Sequence, residues 1–365
     1  MKIPAERTRC AIGYDAPVPP RKPTNRRQID LASMSDDALL ATRLCDLPVS
    51  VESSELSSRV ERLYRELEGA GIRLRPKVWL SDEWFSPDGF PGIAIPFYLA
   101  HPRLKRLERK MMFEVEGGSA AECMKILRHE AGHCVQTAFR LHRRRGWRQH
   151  FGDPSTPYPD AYTPRPYSRR FVLHIDPHYA QSHPAEDFAE TFAVWLTPGS
   201  RWRSKYRGWG ALKKLEFVDR LMREIAGEPP RVRARAAVDP IRDLTHTLAE
   251  HYQDRQRLYG ANEPDVYIRD LRRLFPAAKG EPGSRSAASL LRSARRETRQ
   301  SVARWTGQYQ YTIDGFYQEM IDRCAEHGLR VPAGSDETAL RREIAVLLTV
   351  MVTNALRDGG HRIVL

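Results

Sequence analysis

His129-Glu130-Ala131-Gly132-His133 sets two histidines four residues apart with a glutamate between them. On an α-helix, positions four apart share one face about one turn apart, so both imidazoles can reach a single zinc ion. The same geometry puts Glu130 beside that ion, where its carboxylate can take a proton from an activated water and later pass it to a leaving amine. A catalytic zinc needs a third protein ligand and an open position for water. In metzincins the motif continues with a glycine and a third histidine, but Gln136 and Phe139 stand there, so that class is excluded. His142 lies half a turn round from His133 and points away from the metal.

The remaining source of a ligand is Pro184-Ala185-Glu186-Asp187-Phe188-Ala189-Glu190-Thr191-Phe192-Ala193, which reads as a helix with two carboxylates four apart. Glu186 fits a ligand that opens a helix. Glu190 fits the acid that accepts a hydrogen bond from a ligand histidine, fixing its tautomer and raising its basicity. Asp187 is turned off that face, to serve either as a favourable charge at the helix N-terminus or as a partner for a second histidine. Read blandly, Glu186 is itself only a first-turn acid favoured by the helix dipole. Tyr179, seven residues before Glu186, could donate to the oxyanion of a tetrahedral intermediate. His174, His178 and His183 crowd the same stretch and compete for that role or for the metal. Cys134 points off the ligand face and reads as a small core residue.

The elements that must position these groups are marked by caps and periodicity. Ser119-Ala-Ala-Glu122 matches a capping box, and the helix it opens is expected to run to about Arg143, burying Met124, Leu127, Cys134, Val135, Ala138 and Phe139. The ligand helix should run from Pro184 to Leu196, stopped by Thr197-Pro198-Gly199. Lys77–Leu80 and Ile93–Leu99 read as strands. Pro96 cannot donate to a ladder, which favours an edge strand for the second, one that either offers its backbone to an extended peptide or is a plain structural edge. Residues 146–170, rich in Pro, Tyr, Gly and Arg, are expected to form a functional loop without elements. Upstream, Ser35 should cap a helix through Leu47, and a second helix should span Ser54–Glu68. Downstream, helices are expected over 213–225, 241–258, 265–274, 287–305, 316–327 and 337–356, with joints at Pro229-Pro230 and in 279–284.

Composition bounds the setting. A charged share of 29% beside 41% hydrophobic residues is that of a soluble globular protein, and the longest apolar run, Ile344–Val352, is half a membrane span, so a membrane role is excluded in favour of a core helix. The proline-rich basic segment 1–30 lacks the apolar stretch of an export signal and reads as a disordered tail. Five dispersed cysteines without CxxC pairs suit a reducing compartment, so the cytoplasm is expected. A net charge of +13 would attract polyanions. Its arginines, Arg128 and Arg140 among them, are spread over helices with no nucleic-acid-binding module, so nucleic acid stands only as the alternative partner. That alternative is a basic nucleic-acid-associated protein with a regulatory zinc site, or a protease confined to DNA-bound targets. A zinc kept purely for structure is opposed by Glu130, since structural sites need no general base.

Five stretches carry a family resemblance: Trp79-Leu-Ser-Asp-Glu-Trp-Phe, Pro91–Arg103, Glu116-Gly-Gly, Ile126-Leu-Arg-His-Glu-Ala-Gly-His and Ser182-His-Pro-Ala-Glu-Asp-Phe-Ala-Glu-Thr-Phe-Ala. With them the chain resembles the bacterial family described as putative zinc-binding metallopeptidases, most strongly from about residue 72 to 203. The pair HEAGH and AEDFAE is also similar to the catalytic domain of anthrax lethal factor, a gluzincin-like protease, and that similarity implies a ligand role for Glu186 and an oxyanion-donor role for Tyr179. The reading that follows is an α+β protein. Its zincin-like core, a small sheet backed by the HExxH helix, lies in a metallopeptidase domain over 31–260, with largely helical additions on either side, the later one over 261–365. The expected chemistry is hydrolysis of a peptide or related amide bond in a peptide or protein substrate. One Zn2+ would be held by His129, His133 and Glu186, with Glu130 and Tyr179 catalytic and Glu190 and Asp187 supporting the ligands.

Overall fold

The computed structural model describes residues 30–159, 161–165, 167–175, 178–234, 236–260, 268–275, 285–358 and 363–364. The expected tail over 1–30 and the joint at 279–284 lie outside them, but for Asp30. The chain divides into two compact units. The first holds the described residues up to Lys110, Val115–Glu250 and the strand Ile363–Val364; the second holds Met111–Glu114 and the described residues over 251–358, so the division falls inside a helix. Among the described residues the protein is mostly helical, with one parallel pair of strands and one short antiparallel pair, an α+β composition.

In the first unit, Ser35 accepts from the Ala38 N–H and opens helix α1 (Asp36–Leu40). The helix stops well short of Leu47. The backbone N–H groups of Leu44 and Cys45 donate instead to the carbonyls of His246 and Leu244, and Arg43 bridges Thr247, so long-range pairing overrides the local helical pattern. Helix α2 (Leu56–Gly69) turns Leu56, Val60, Leu63 and Leu67 inward at helical spacing. Strand β1 (Lys77–Ser81) pairs in parallel with β2 (Gly92–Pro96), Trp79 opposite Ala94. All five residues of β2 are buried, and on its other side the Ala94 N–H donates to the Phe85 carbonyl at 2.9 Å. The expected open edge is therefore partly covered by the chain itself. The apolar run ends as strand at Pro96 and continues as a 3-10 turn, Phe97–Ala100.

Helix α3 (Pro102–Met112) has no counterpart in the sequence reading, because charged residues mask the inward spacing of Leu104 and Leu107. Helix α4 (Ala120–Phe139) begins with the complete capping box of Ser119 and Glu122. It ends at Phe139 rather than Arg143, where Arg140 takes the left-handed conformation (φ 52°) and its N–H closes onto Gln136 and Thr137. The stretch expected to be irregular contains helix α5 (Trp147–Phe151) and strand β3 (Ala161–Tyr162), which pairs with β4 (Ile363–Val364). Helix α6 (Pro184–Leu196) has the expected bounds. Two more helices complete this unit, α7 (Trp202–Lys205) and α8 (Gly210–Glu224).

α4 packs on α6, on α2 and on β2. Gly132 is what lets the α4–α6 crossing close: a Cβ there would lie 2.8 Å from the Ala189 Cα and 3.1 Å from its carbonyl oxygen. Arg128, counted in the sequence among dispersed basic residues, is buried and grips Glu66 of α2 through two bonds of 2.7 and 2.8 Å.

The second unit is helical: most of α9 (Leu248–Tyr259), then α10 (Ile268–Leu274), α11 (Ala287–Thr306), α12 (Gln310–Glu326) and α13 (Glu337–Asp358). Its core joins Leu271, Leu291, Tyr317, Met320, Ile344, Leu348 and Val352. The run 344–352 thus serves as a core helix, and among the described residues no helix is long and apolar enough to cross a membrane.

Candidate metal centre

α4 and α6 each deliver a row of charged side chains to their shared interface. His129 Nε2 lies 3.1 Å from His133 Nε2, and Glu186 Oε2 lies 3.0 Å from the first and 3.2 Å from the second. These ligand atoms form one compact group. Donors about 2.0–2.1 Å from a tetrahedral zinc stand roughly 3.3 Å apart, so two imidazole nitrogens and one carboxylate oxygen at these separations suit that ion in chemistry and in size.

The surrounding bonds orient each ligand. His129 donates its Nδ1–H to Glu190 Oε1 at 2.7 Å, which leaves the Nε2 lone pair facing the group. Glu190 Oε2 in turn accepts the Ile175 N–H at 2.7 Å. The other oxygen of Glu186, Oε1, accepts the Tyr158 hydroxyl at 2.8 Å. Ser86, in the loop after β1, donates to the Glu130 carbonyl at 3.2 Å and ties that loop to the motif.

The charged groups of this interface shift one another's protonation. Burial presses the His129 imidazole toward neutrality, but its bonds to Glu186 and Glu190 outweigh that and raise it to about 10. Burial would likewise raise Glu186, yet the two imidazoles hold it well below the usual carboxylate range. Glu130 is fully buried, and that desolvation raises its carboxyl against the pull of both imidazoles. Both Glu130 carboxylate oxygens are buried without a hydrogen-bond partner. An orphaned carboxylate costs several kcal/mol if it is left ionised in a dry interior, so Glu130 is a buried polar group that packing alone does not explain.

The other candidates fall differently. Tyr179 is buried on a 3-10 turn, its ring 5.6 Å from that of His129, directly after His178 in the left-handed region (φ 67°). His174 lies 3.0 Å from the Lys125 carbonyl, and His183 caps α6 by accepting the Ala185 N–H; with His178 and His142, neither joins the ligand group. Asp187 does not hold a histidine. It pairs with Lys214 of α8, and burial pushes its carboxyl up to about 7 with Lys214 opposing. Cys134 is a buried free thiol 3.6 Å from the Ser86 hydroxyl. Tyr158 and the Ile175 amide were not found from sequence: a tyrosine in an irregular stretch and a backbone N–H carry no spacing signal.

Residues 123–199 match the family described as "Putative zinc-binding metallo-peptidase", a stretch that takes in α4 from Cys123 onward and all of α6 and so bears out the resemblance drawn from the motifs. No curated protein and no solved structure matches the chain.

Proposed function

We propose that this protein is a zinc-dependent peptidase of the gluzincin type, with one ion held by His129, His133 and Glu186 and a peptide or related amide bond as substrate. The observation that carries the reading is the pairing of a compact three-ligand group with Glu130, a buried carboxylate whose two oxygens have no partner. The sheet backed by α4 supports a zincin-like core. A zinc ion held by His129, His133 and Glu186 would supply Lewis acidity, activating water and polarising the scissile carbonyl. Glu130 would take a proton from the attacking water and return it to the leaving amine, a role suited to a carboxyl raised by burial. Glu190 keeps His129 in the tautomer that presents Nε2. Tyr179, close to His129, donates to the developing oxyanion. Lys214 neutralises Asp187 behind the ligand helix.

Metal analysis of purified protein tests the reading. About one zinc per chain is expected in wild type and in Glu130→Gln, and a large loss in Glu186→Ala. Peptide pools from cell extract should be cleaved by wild type and spared by Glu130→Gln. Under half an equivalent in wild type, or undiminished metal in Glu186→Ala, overturns it.

A further inference from the structure

The two oxygens of Glu186 have different company. Oε2 faces both imidazoles, whereas Oε1 is taken by the Tyr158 hydroxyl. Tyr158 comes from the segment between α5 and β3, far from the motifs, and its ring is stacked on His183 with centroids 3.7 Å apart and planes 18° apart. His183 is fixed at both nitrogens: Nδ1 accepts the Ala185 N–H at 3.1 Å, and Nε2 donates to the Thr156 carbonyl at 2.8 Å. The phenol is therefore braced against the N-terminus of the helix that carries Glu186.

A carboxylate with both oxygens free can bind a metal through either or both. Two-oxygen binding would add a donor and crowd the position that water needs. We propose that Tyr158 is a positioning residue which occupies Oε1 and so restricts Glu186 to a single oxygen toward the metal. The inference rests on the zinc reading above and adds to it a residue outside both metal helices.

Tyr158→Phe keeps the ring and its stacking and removes only the bond. Zinc affinity by chelator competition and the visible spectrum of the Co2+-substituted protein are compared for wild type, Tyr158→Phe, Tyr158→p-aminophenylalanine and Glu186→Ala. The expected result for Tyr158→Phe is zinc affinity weakened by on the order of tenfold or more, as loss of an outer partner does. Its cobalt absorption should also weaken as coordination rises from four toward five. Tyr158→p-aminophenylalanine restores a donor at the same place and should recover both. If the Phe variant does not fold, Tyr158→p-fluorophenylalanine, which fills the volume without donating, takes its place. Wild-type affinity and spectrum in the donorless variant, or a loss that the amine does not recover, overturns the role of Tyr158. A wild-type protein that binds no metal, or a Glu186→Ala variant that binds it equally well, overturns instead the zinc reading on which it stands.

Discussion

Two helix pairs in this protein bury charge, and they do it in opposite ways. Between α11 and α12, Asp314 is saturated: Arg295 reaches both its oxygens at 2.8 and 2.6 Å, and Arg299 adds a bond of 2.6 Å. The spare donors are used as well, Arg295 on Gln318 and Arg299 on Gln310, while the Arg299 guanidinium lies 3.9 Å from the Phe113 ring centre. Between α4 and α6, Glu186 and Glu190 are bonded but Glu130 is not, and two imidazole nitrogens sit 3.1 Å apart around one carboxylate oxygen. A cluster whose donors and acceptors balance locks helices together. One that leaves a carboxylate without a bond carries a desolvation cost borne by the rest of the fold, as the metal site proposed above would require.

Removing charge should therefore have opposite consequences in the two places. Glu130→Gln is expected to lower peptide turnover by about 10²–10⁴-fold, the range for a lost general acid–base group, while the metal-free protein melts no lower than wild type because a buried unpaired charge has gone. Peptide assays with parallel thermal melts check it, and a substantially lowered melting temperature would erase the contrast. Asp314→Asn should destabilise by about 3 kcal/mol, since it strands two arginines, and leave zinc affinity unchanged. Denaturant titration and chelator competition read the two effects separately.

The pH response sharpens the contrast. In metal-free protein, His129 is raised above its ordinary 6.5 to about 10, so its contribution is fully present below pH 6.5 and is lost as pH climbs through 10. Glu186 is held below its ordinary 4.5, so its contribution is present above pH 4.5 and is lost as pH falls below it. Metal-free stability should thus be greatest between roughly pH 4.5 and 6.5 and decline on the alkaline side. Zinc should abolish that alkaline decline and, near pH 7.5, release about one proton per ion into a weakly buffered solution. Arg295, whose bond to Asp314 raises it further above the alkaline range, adds no such limb. Melting curves from pH 4 to 10 with and without zinc decide this.

The smallest effect is expected at Gly132→Ala. The added Cβ would meet the Ala189 backbone, which cannot swing aside, so overpacking falls at the upper end of about 1–3 kcal/mol and, offset by about 1 kcal/mol of helix propensity, leaves a loss of about 2 kcal/mol. The more telling change is in zinc affinity, which should fall because the crossing that brings Glu186 to the histidines is forced apart.

Much of this site was legible in the chain because its signals are local. Helical spacing alone relates His129 to His133 and Glu186 to Glu190, and Ser119 and Glu122 announce α4 by satisfying each other's backbone. Signals failed where tertiary pairing competed with local preference: the helix after Ser35 stops because its backbone finds partners near Leu244 and His246, and residues 146–170 acquire α5 and β3 against their composition. Of the two roles open to it, Asp187 is a first-turn charge of α6 and not a histidine partner, and its own helix does not reveal that Lys214 of α8 lies against it.

By itself the sequence determined which residues could bind a metal, since the identities of His129, Glu130, His133 and Glu186 are fixed by covalent order and the spacing of the two histidines by the 3.6-residue turn. Only tertiary structure decided that the two halves of the site meet, through a glycine small enough to let α4 rest on α6. It also decided which oxygen of Glu186 is free, because Tyr158 arrives from a distant segment and is held by stacking and hydrogen bonds that no local pattern encodes.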